Sequence, residues 1–178
     1  LGRINIINLR SIQELGTHLN DMEEQIVEKN VKLILIDSVS GLKDNSMDTE
    51  YDEENRGRNM GTTLLGQYAA VLKKLAEDFS IPVVVTNTMT RRTDSGFSSN
   101  RQVAVQYNVP KLGYLWSHSV NTRLILQDAT LSEFNDGSRY IKIDKSPLCG
   151  TRLIPIELTD FGVQEFGEMI IPDNASQM

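Results

Sequence analysis

Residues 31–38, Val-Lys-Leu-Ile-Leu-Ile-Asp-Ser, constrain the fold more than any other stretch. Four apolar residues in a row, Leu33 to Ile36, stop at the carboxylate of Asp37 and the hydroxyl of Ser38. An unbroken apolar run of strand length predicts a strand buried on both faces, as in a parallel sheet covered by helices. Ligands of such sheets bind beyond the carboxyl ends of the strands, and Asp37 falls there. Two readings of this acid stay open at this point. It holds a metal ion, or it only ends a strand and begins a turn.

The neighbouring patterns supply the rest of an α/β layout. Residues 3–8 (RINIIN) read as a short strand. Ser11-Ile-Gln-Glu14 is a capping box, and Ile12, Leu15, Leu19, Met22 and Ile26 follow at helical spacing, which predicts one amphipathic helix over about 12–29. Strand, helix and strand of these lengths imply a parallel pair with a crossover. A second helix is predicted over about 59–79 from Leu64, Leu65, Tyr68, Ala69, Leu72, Leu75, Ala76 and Phe79. It leads into another apolar run, Val83-Val84-Val85, that ends in Thr86, Asn87 and Thr88.

Two segments, 41–57 and 90–113, lack any clear period and read as long loops leaving the same edge of the sheet. The first is crowded with Asp44, Asp48, Glu50, Asp52, Glu53 and Glu54; the second carries Arg91, Arg92, Arg101 and Lys111. Beyond them, 120–127 reads as a strand that forms a hairpin with 140–143 around Asp136-Gly137. A last hairpin pairs 153–158 with 163–166, and the tail after Pro172 frays. The expected fold class is α/β, with parallel strands and crossover helices in the first half and a β meander in the second.

Composition narrows the classes of function. The chain has 178 residues, enough for one domain with a real core, and a hydrophobic content of 39% that suits a soluble globular protein. No apolar run approaches the roughly 20 residues that span a bilayer, so no membrane role is expected. The start shows no signal-peptide pattern and no Met, and reads as a fragment or processed piece. Cys149, the single cysteine, has no partner for an internal disulfide and fits a reducing compartment. With His18 and His118 it supplies too few ligands for a zinc site. A net charge of −6 argues against a general polyanion-binding surface, although the basic segment 91–111 can still meet phosphates locally.

In nucleoside-triphosphatases a strand-ending Asp of this kind, the Walker B acid, holds Mg2+. Its companion is the phosphate cradle G-x-x-x-x-G-K-[ST], and no glycine here is followed by Lys-Ser or Lys-Thr. Asp37 is therefore expected to work with a cradle upstream of Leu1, or the fold serves without hydrolysis. Hydrolase chemistry has less support, because Ser117, His118 and Ser119 lack the Gly-x-Ser-x-Gly elbow. His118 is read instead as a hydrogen-bonded turn or strand residue, and Trp116 as packing at the core edge.

Four segments occur in an informative order: 31–39 (VKLILIDSV), 75–87 (LAEDFSIPVVVTN), 116–127 (WSHSVNTRLILQ) and 145–148 (KSPL). Together they resemble the eukaryotic RecA-like recombinases, and within them the B-type paralogue group of the homologous-recombination strand-exchange protein. The resemblance covers about residues 3–166, and 116–127 is its most specific part. It implies the carboxyl-terminal part of a RecA-like P-loop NTPase core, one ATPase domain over 1–171 without its Walker A loop, and a tail over 172–178. The implied cofactors are ATP and Mg2+, with Asp37 in the Walker B and metal role. Ser38, Asn87, Lys145 and Pro147 are implied to be nucleotide-binding, and the two long loops to face DNA. Arg91, Arg92, Arg101 and Lys111 become the candidate phosphate contacts.

The implied partners are single-stranded or branched DNA and other recombinase paralogues in a hetero-oligomer, and the implied compartment is the nucleus. The chain departs from the recombinase pattern in two ways. Thr88 stands where the recombinase has a nucleotide-sensing glutamine, and Lys145 where it has an acid. An alternative function is therefore a non-hydrolysing scaffold that completes a neighbour's ATP site in trans through Lys145 and Pro147.

Overall fold

The computed structural model describes residues 3–42, 60–98, 101–128 and 139–167; for 60–63, 92–98, 101–107, 113–115 and 128 the description is of the backbone. The chain divides into two compact units, Leu1–Ser119 and Val120–Met178.

In the first unit, helix α1 (Ile12–Asn20) starts at Ser11, whose side chain accepts the Glu14 N–H at 3.2 Å. The Glu14 carboxylate reaches back to the N–H of Arg10, one residue before the cap, at 2.6 Å. The single helix predicted over 12–29 is broken at Asp21, which caps the end of α1 and precedes α2 (Met22–Glu28). Residues 3–10 form no strand. Ile4, Ile6 and Ile7 are exposed there, and an apolar run becomes a strand only where another strand completes its ladder.

Strand β1 (Ile34–Ile36) pairs in parallel with β2 (Val83–Val85) in the register Ile34↔Val83, Leu35↔Val84, Ile36↔Val85. Helix α3 (Met60–Asp78) lies between them in the chain. Burial on both faces is not observed: Ile34 is buried, whereas Leu35 and Val84 are 60% and 47% exposed. The alternate residues face the helices. Leu15, Leu19 and Ile26 meet Ile34, Leu72, Leu75 and Ile81 in one core, against which Ile36, Val83 and Val85 pack. Gly16 permits the close approach of α1 to α3, since a Cβ there would collide with the Tyr68 ring.

Both helices that feed the parallel strands end in the same way. Asn30 and Ser80 take positive φ of 49° and 51°. The amide of the next residue bonds five positions back, Val31 to Ile26 at 3.0 Å and Ile81 to Ala76 at 3.1 Å. These are Schellman ends, which satisfy the last carbonyls and turn the chain sharply towards a strand.

The predicted loop over 90–113 is instead an antiparallel ribbon, β3 (Met89–Ser98) with β4 (Arg101–Pro110), followed by helix α4 (Gly113–Ser119). Its signal is the two-residue period of Val103, Val105, Tyr107 and Val109, which outweighs the low apolar content of the segment. His118 accordingly sits on a short helix, not in a turn or strand, and Trp116 on the same helix is buried. The acidic segment 43–59 lies outside the described residues.

The second unit is a four-stranded antiparallel meander in the order β5 (Arg123–Asp128), β6 (Arg139–Lys145), β7 (Arg152–Thr159), β8 (Gly162–Glu165). Both predicted strand pairings are present, with Leu126↔Ile141 in one and Leu158↔Val163 in the other, while the Asp136-Gly137 turn lies outside the described residues. Among the described residues the meander is a separate sheet, not a continuation of β1–β2. Residue patterns show which segments are strands but leave open which edges share a ladder.

An L-residue held at positive φ costs about 1–2 kcal/mol. Ser80→Gly is thus expected to stabilise the chain by roughly 0.5–1 kcal/mol and Ser80→Val to destabilise it. Denaturant unfolding of the two variants checks the sign of each.

Candidate nucleotide and DNA site

The β1–β2 register continues past the strands and brings Asp37 beside Thr86. The Thr86 amide donates to the Ile36 carbonyl at 3.0 Å, and its hydroxyl donates to Asp37 Oδ1 at 2.6 Å. The threonine thus orients the carboxylate through one oxygen, and among the described residues Oδ2 accepts no hydrogen bond. Asp37 is exposed, and the peptide bond between it and Ser38 is cis. Asn87 follows Thr86, and its side-chain Oδ1 is buried without a hydrogen-bond partner among the described residues.

A turn of 3-10 helix (Val39–Gly41) follows Ser38. Inside it Ser40 is buried, and its hydroxyl donates to Ser38 Oγ at 3.3 Å. The same hydroxyl accepts from the Thr88 amide and the Thr88 hydroxyl, each at 3.1 Å. The Lys111 ammonium donates to the Ser40 carbonyl at 3.0 Å, and the Lys111 amide donates to the Thr88 carbonyl at 2.9 Å. The root of the ribbon is therefore joined to the turn that carries Asp37.

These groups suit Mg2+ in kind. Carboxylate, hydroxyl and amide oxygens are hard donors, and Mg2+ keeps several waters while taking one or two carboxylates plus phosphates. Among the described residues no group of three or more His, Cys, Asp or Glu could hold a metal. A dedicated all-protein cage is therefore not formed there. A single oriented acid is what an ion shared with a bound phosphate chain requires.

The predicted site residues fall into three places. Asp37, Ser38, Asn87 and Lys111 gather around the ends of β1 and β2. Arg91, Arg92 and Arg101 are spread along the ribbon: Arg91 pairs with Asn108 near the root, Arg92 with Tyr107, and Arg101 with Ser98 at the far end. Lys145 and Pro147 belong to the meander unit. Lys145 ends β6, and its ammonium donates to the Val120 carbonyl at 2.7 Å; Pro147 is exposed beyond it. Sequence reasoning passed over Thr86 and Ser40. The register between the two apolar runs signals Thr86, whereas nothing in the residue pattern singles out Ser40.

Next to Lys145 the meander holds a compact charge cluster. Arg123 pairs with Lys145 and Leu124 with Ile143, so Asp144 is the extra residue of a bulge. Its carboxylate takes Arg123 Nε at 2.7 Å on one oxygen and Lys142 Nζ at 3.0 Å on the other. Burial works against ionisation of Asp144, but the hydrogen bonds and charges of Lys142 and Arg123 outweigh it. The carboxyl is held below its ordinary 3.8.

A carboxyl with a lowered folded-state pKa stabilises the fold above its unfolded value, and the contribution disappears as pH falls through the folded value. Asp144→Asn is expected to cost roughly 1–3 kcal/mol at pH 7. The difference from wild type should shrink as the pH drops below about 4. Unfolding curves at a series of pH values test this.

Comparison with known proteins matches residues 5–166 to the Rad51 family. The human DNA repair protein RAD51 homolog 2 is 31% identical over 160 residues, covering 82% of this chain and 40% of the relative. The Arabidopsis thaliana homolog 2 is 27% identical over 190 residues, covering 99% and 46%. The Bos taurus DNA repair protein RAD51 homolog 4 is 32% identical over 154 residues, covering 83% and 42%. The chain thus spans less than half the length of these relatives.

Proposed function

The chain belongs to the Rad51 family as a paralogue of the eukaryotic RecA-like recombinases, and on that premise we propose that it serves an ATP-binding, DNA-binding subunit of a recombinase-paralogue complex. That complex acts in the nucleus, in homologous recombination and double-strand break repair. The observation that carries the reading is Asp37 at the carboxyl end of β1, oriented by Thr86 at the end of its parallel neighbour. Three relatives named as DNA repair proteins support the process. Among the described residues no helix is long and apolar enough to cross a membrane.

Within this reading Asp37 would hold Mg2+ through a bound water, with Ser38 and Asn87 as neighbouring polar groups. Bound Mg2+ supplies neutralisation of phosphate charge. Thr86 keeps the carboxylate turned so that Oδ2 stays available. The domain extends over 1–171, and the phosphate cradle is contributed from outside it. Arg91, Arg92 and Arg101 meet DNA phosphates along the ribbon, independently of base sequence. Single-stranded or branched DNA is the expected ligand, and other recombinase paralogues are the expected partners.

A second reading rests on the fixed end of β6. The Arg123–Asp144–Lys142 cluster braces the strand that presents Lys145, as a cap over a neighbouring subunit's ATP would need. Lys145 would then exchange the Val120 carbonyl for a partner's phosphate. Mixing Lys145→Ala protein with its partners separates the two, because only the cap role lowers the partner's ATPase.

Asp37→Ala in the complete protein is expected to lower Mg2+ affinity in the presence of ATP roughly 10- to 100-fold, as loss of a water-mediated metal contact does. Magnesium titrations of ATP binding measure it. Unchanged magnesium dependence would remove Asp37 from the metal site.

A further inference from the structure

The join between ribbon and turn is a built feature. Ser40 is 6% exposed, and a hydroxyl offers one donor and two acceptors. All three are satisfied: it donates to Ser38 and accepts twice from Thr88. Thr88 immediately precedes β3 and Lys111 immediately follows β4, so the two residues are the two feet of the ribbon. Both feet are tied to Ser40, one through its hydroxyl and one through its carbonyl, and to each other by the Lys111–Thr88 backbone bond. Ser40 stands three residues after Asp37, in the 3-10 turn that follows Ser38.

We infer that Ser40 and Lys111 are positioning residues that clamp the root of the β3–β4 ribbon to the turn carrying Asp37. Lys111 then governs DNA binding by placing the ribbon and not by touching a phosphate. This rests on the reading that the ribbon faces DNA, and it sets Lys111 apart from Arg91, Arg92 and Arg101. The chemistry supports the distinction. A lysine that meets phosphate is a point charge free to follow the ligand, whereas the Lys111 ammonium is directed at a main-chain carbonyl of its own chain. The clamp also makes one body of the acid's turn and the ribbon's feet, so a displacement of Asp37 is carried to the ribbon through Ser38 and Ser40.

The test compares wild type, Lys111→Met and Ser40→Ala in the complete protein assembled with its partners. Affinity for single-stranded DNA is measured over a range of salt. Lys111 lies at the surface, so its replacement leaves the core intact. A positioning role predicts a several-fold loss of affinity in each variant. The slope of log affinity against log salt stays unchanged, and the double variant is no worse than either single one. A slope reduced by about one in Lys111→Met, with Ser40→Ala neutral, makes Lys111 a phosphate contact and overturns the clamp.

A second readout does not depend on DNA. The Thr88 amide should exchange faster in Ser40→Ala, and unchanged exchange contradicts the clamp. Wild type that binds no DNA at any salt would remove the functional reading, while this exchange measurement still decides on the clamp.

Discussion

Three backbone pairs between β1 and β2 hold the first unit in the form its chemistry needs. Their parallel register sets Asp37 level with Thr86, and the chain then needs only three more residues to bring Ser40 to Thr88. A slip of one residue would turn either Ile34 and Ile36 or Val83 and Val85 away from the helices and expose what is now core. The hydrophobic effect fixes this register, because Leu15, Leu19, Leu72 and Leu75 bury only one choice of partners. Burial of apolar side chains thus decides which polar groups meet beyond the strand ends. The carboxylate is aimed by packing several residues away from it.

The two units handle polar groups differently. Around Asp37 the hydrogen bonds are mostly neutral: the hydroxyls of Ser38, Ser40, Thr86 and Thr88, with main-chain amides and carbonyls, organise a turn while leaving the carboxylate exposed. Such an arrangement positions an acid without neutralising it, as a metal- or phosphate-facing group requires. In the meander Asp144 is partly buried and answered by two cations on separate oxygens. That pairing offsets the cost of burial and locks a bulge beside Lys145. The first pattern leaves a charge available; the second uses a charge to stiffen a strand end.

Much of this was legible from residue order, for identifiable reasons. The α3 face of Leu65, Ala69, Leu72 and Leu75 repeats at helical spacing and is buried as the pattern implies. The apolar runs ending in Asp37 and in Thr86 marked the strands, and the resemblance carried by 31–39 and 116–127 agrees with the Rad51 match. The failures also have physical causes. Residues 3–8 look like a strand, but β structure needs a partner that pattern does not supply. The ribbon was obscured because its alternation runs down one strand, 103–109, while the facing strand is polar. Ser40 gave no signal, since its hydroxyl is held chiefly by Thr88, far away in the chain. The role of Lys111 was hidden similarly: a basic residue in a basic segment looks like a phosphate contact until its ammonium is seen on the Ser40 carbonyl.

The central claim is that the acid ending β1 is the metal-side group of a nucleotide site and is joined to the ribbon root. Amide exchange of the complete protein, followed with ATP and Mg2+ together and with ATP and no metal, tests both halves at once. The account predicts that ATP with Mg2+ slows exchange across residues 37–42 and at Thr88, and that ATP without the metal leaves both unchanged. Equal exchange in all conditions, or the same slowing without Mg2+, would contradict it.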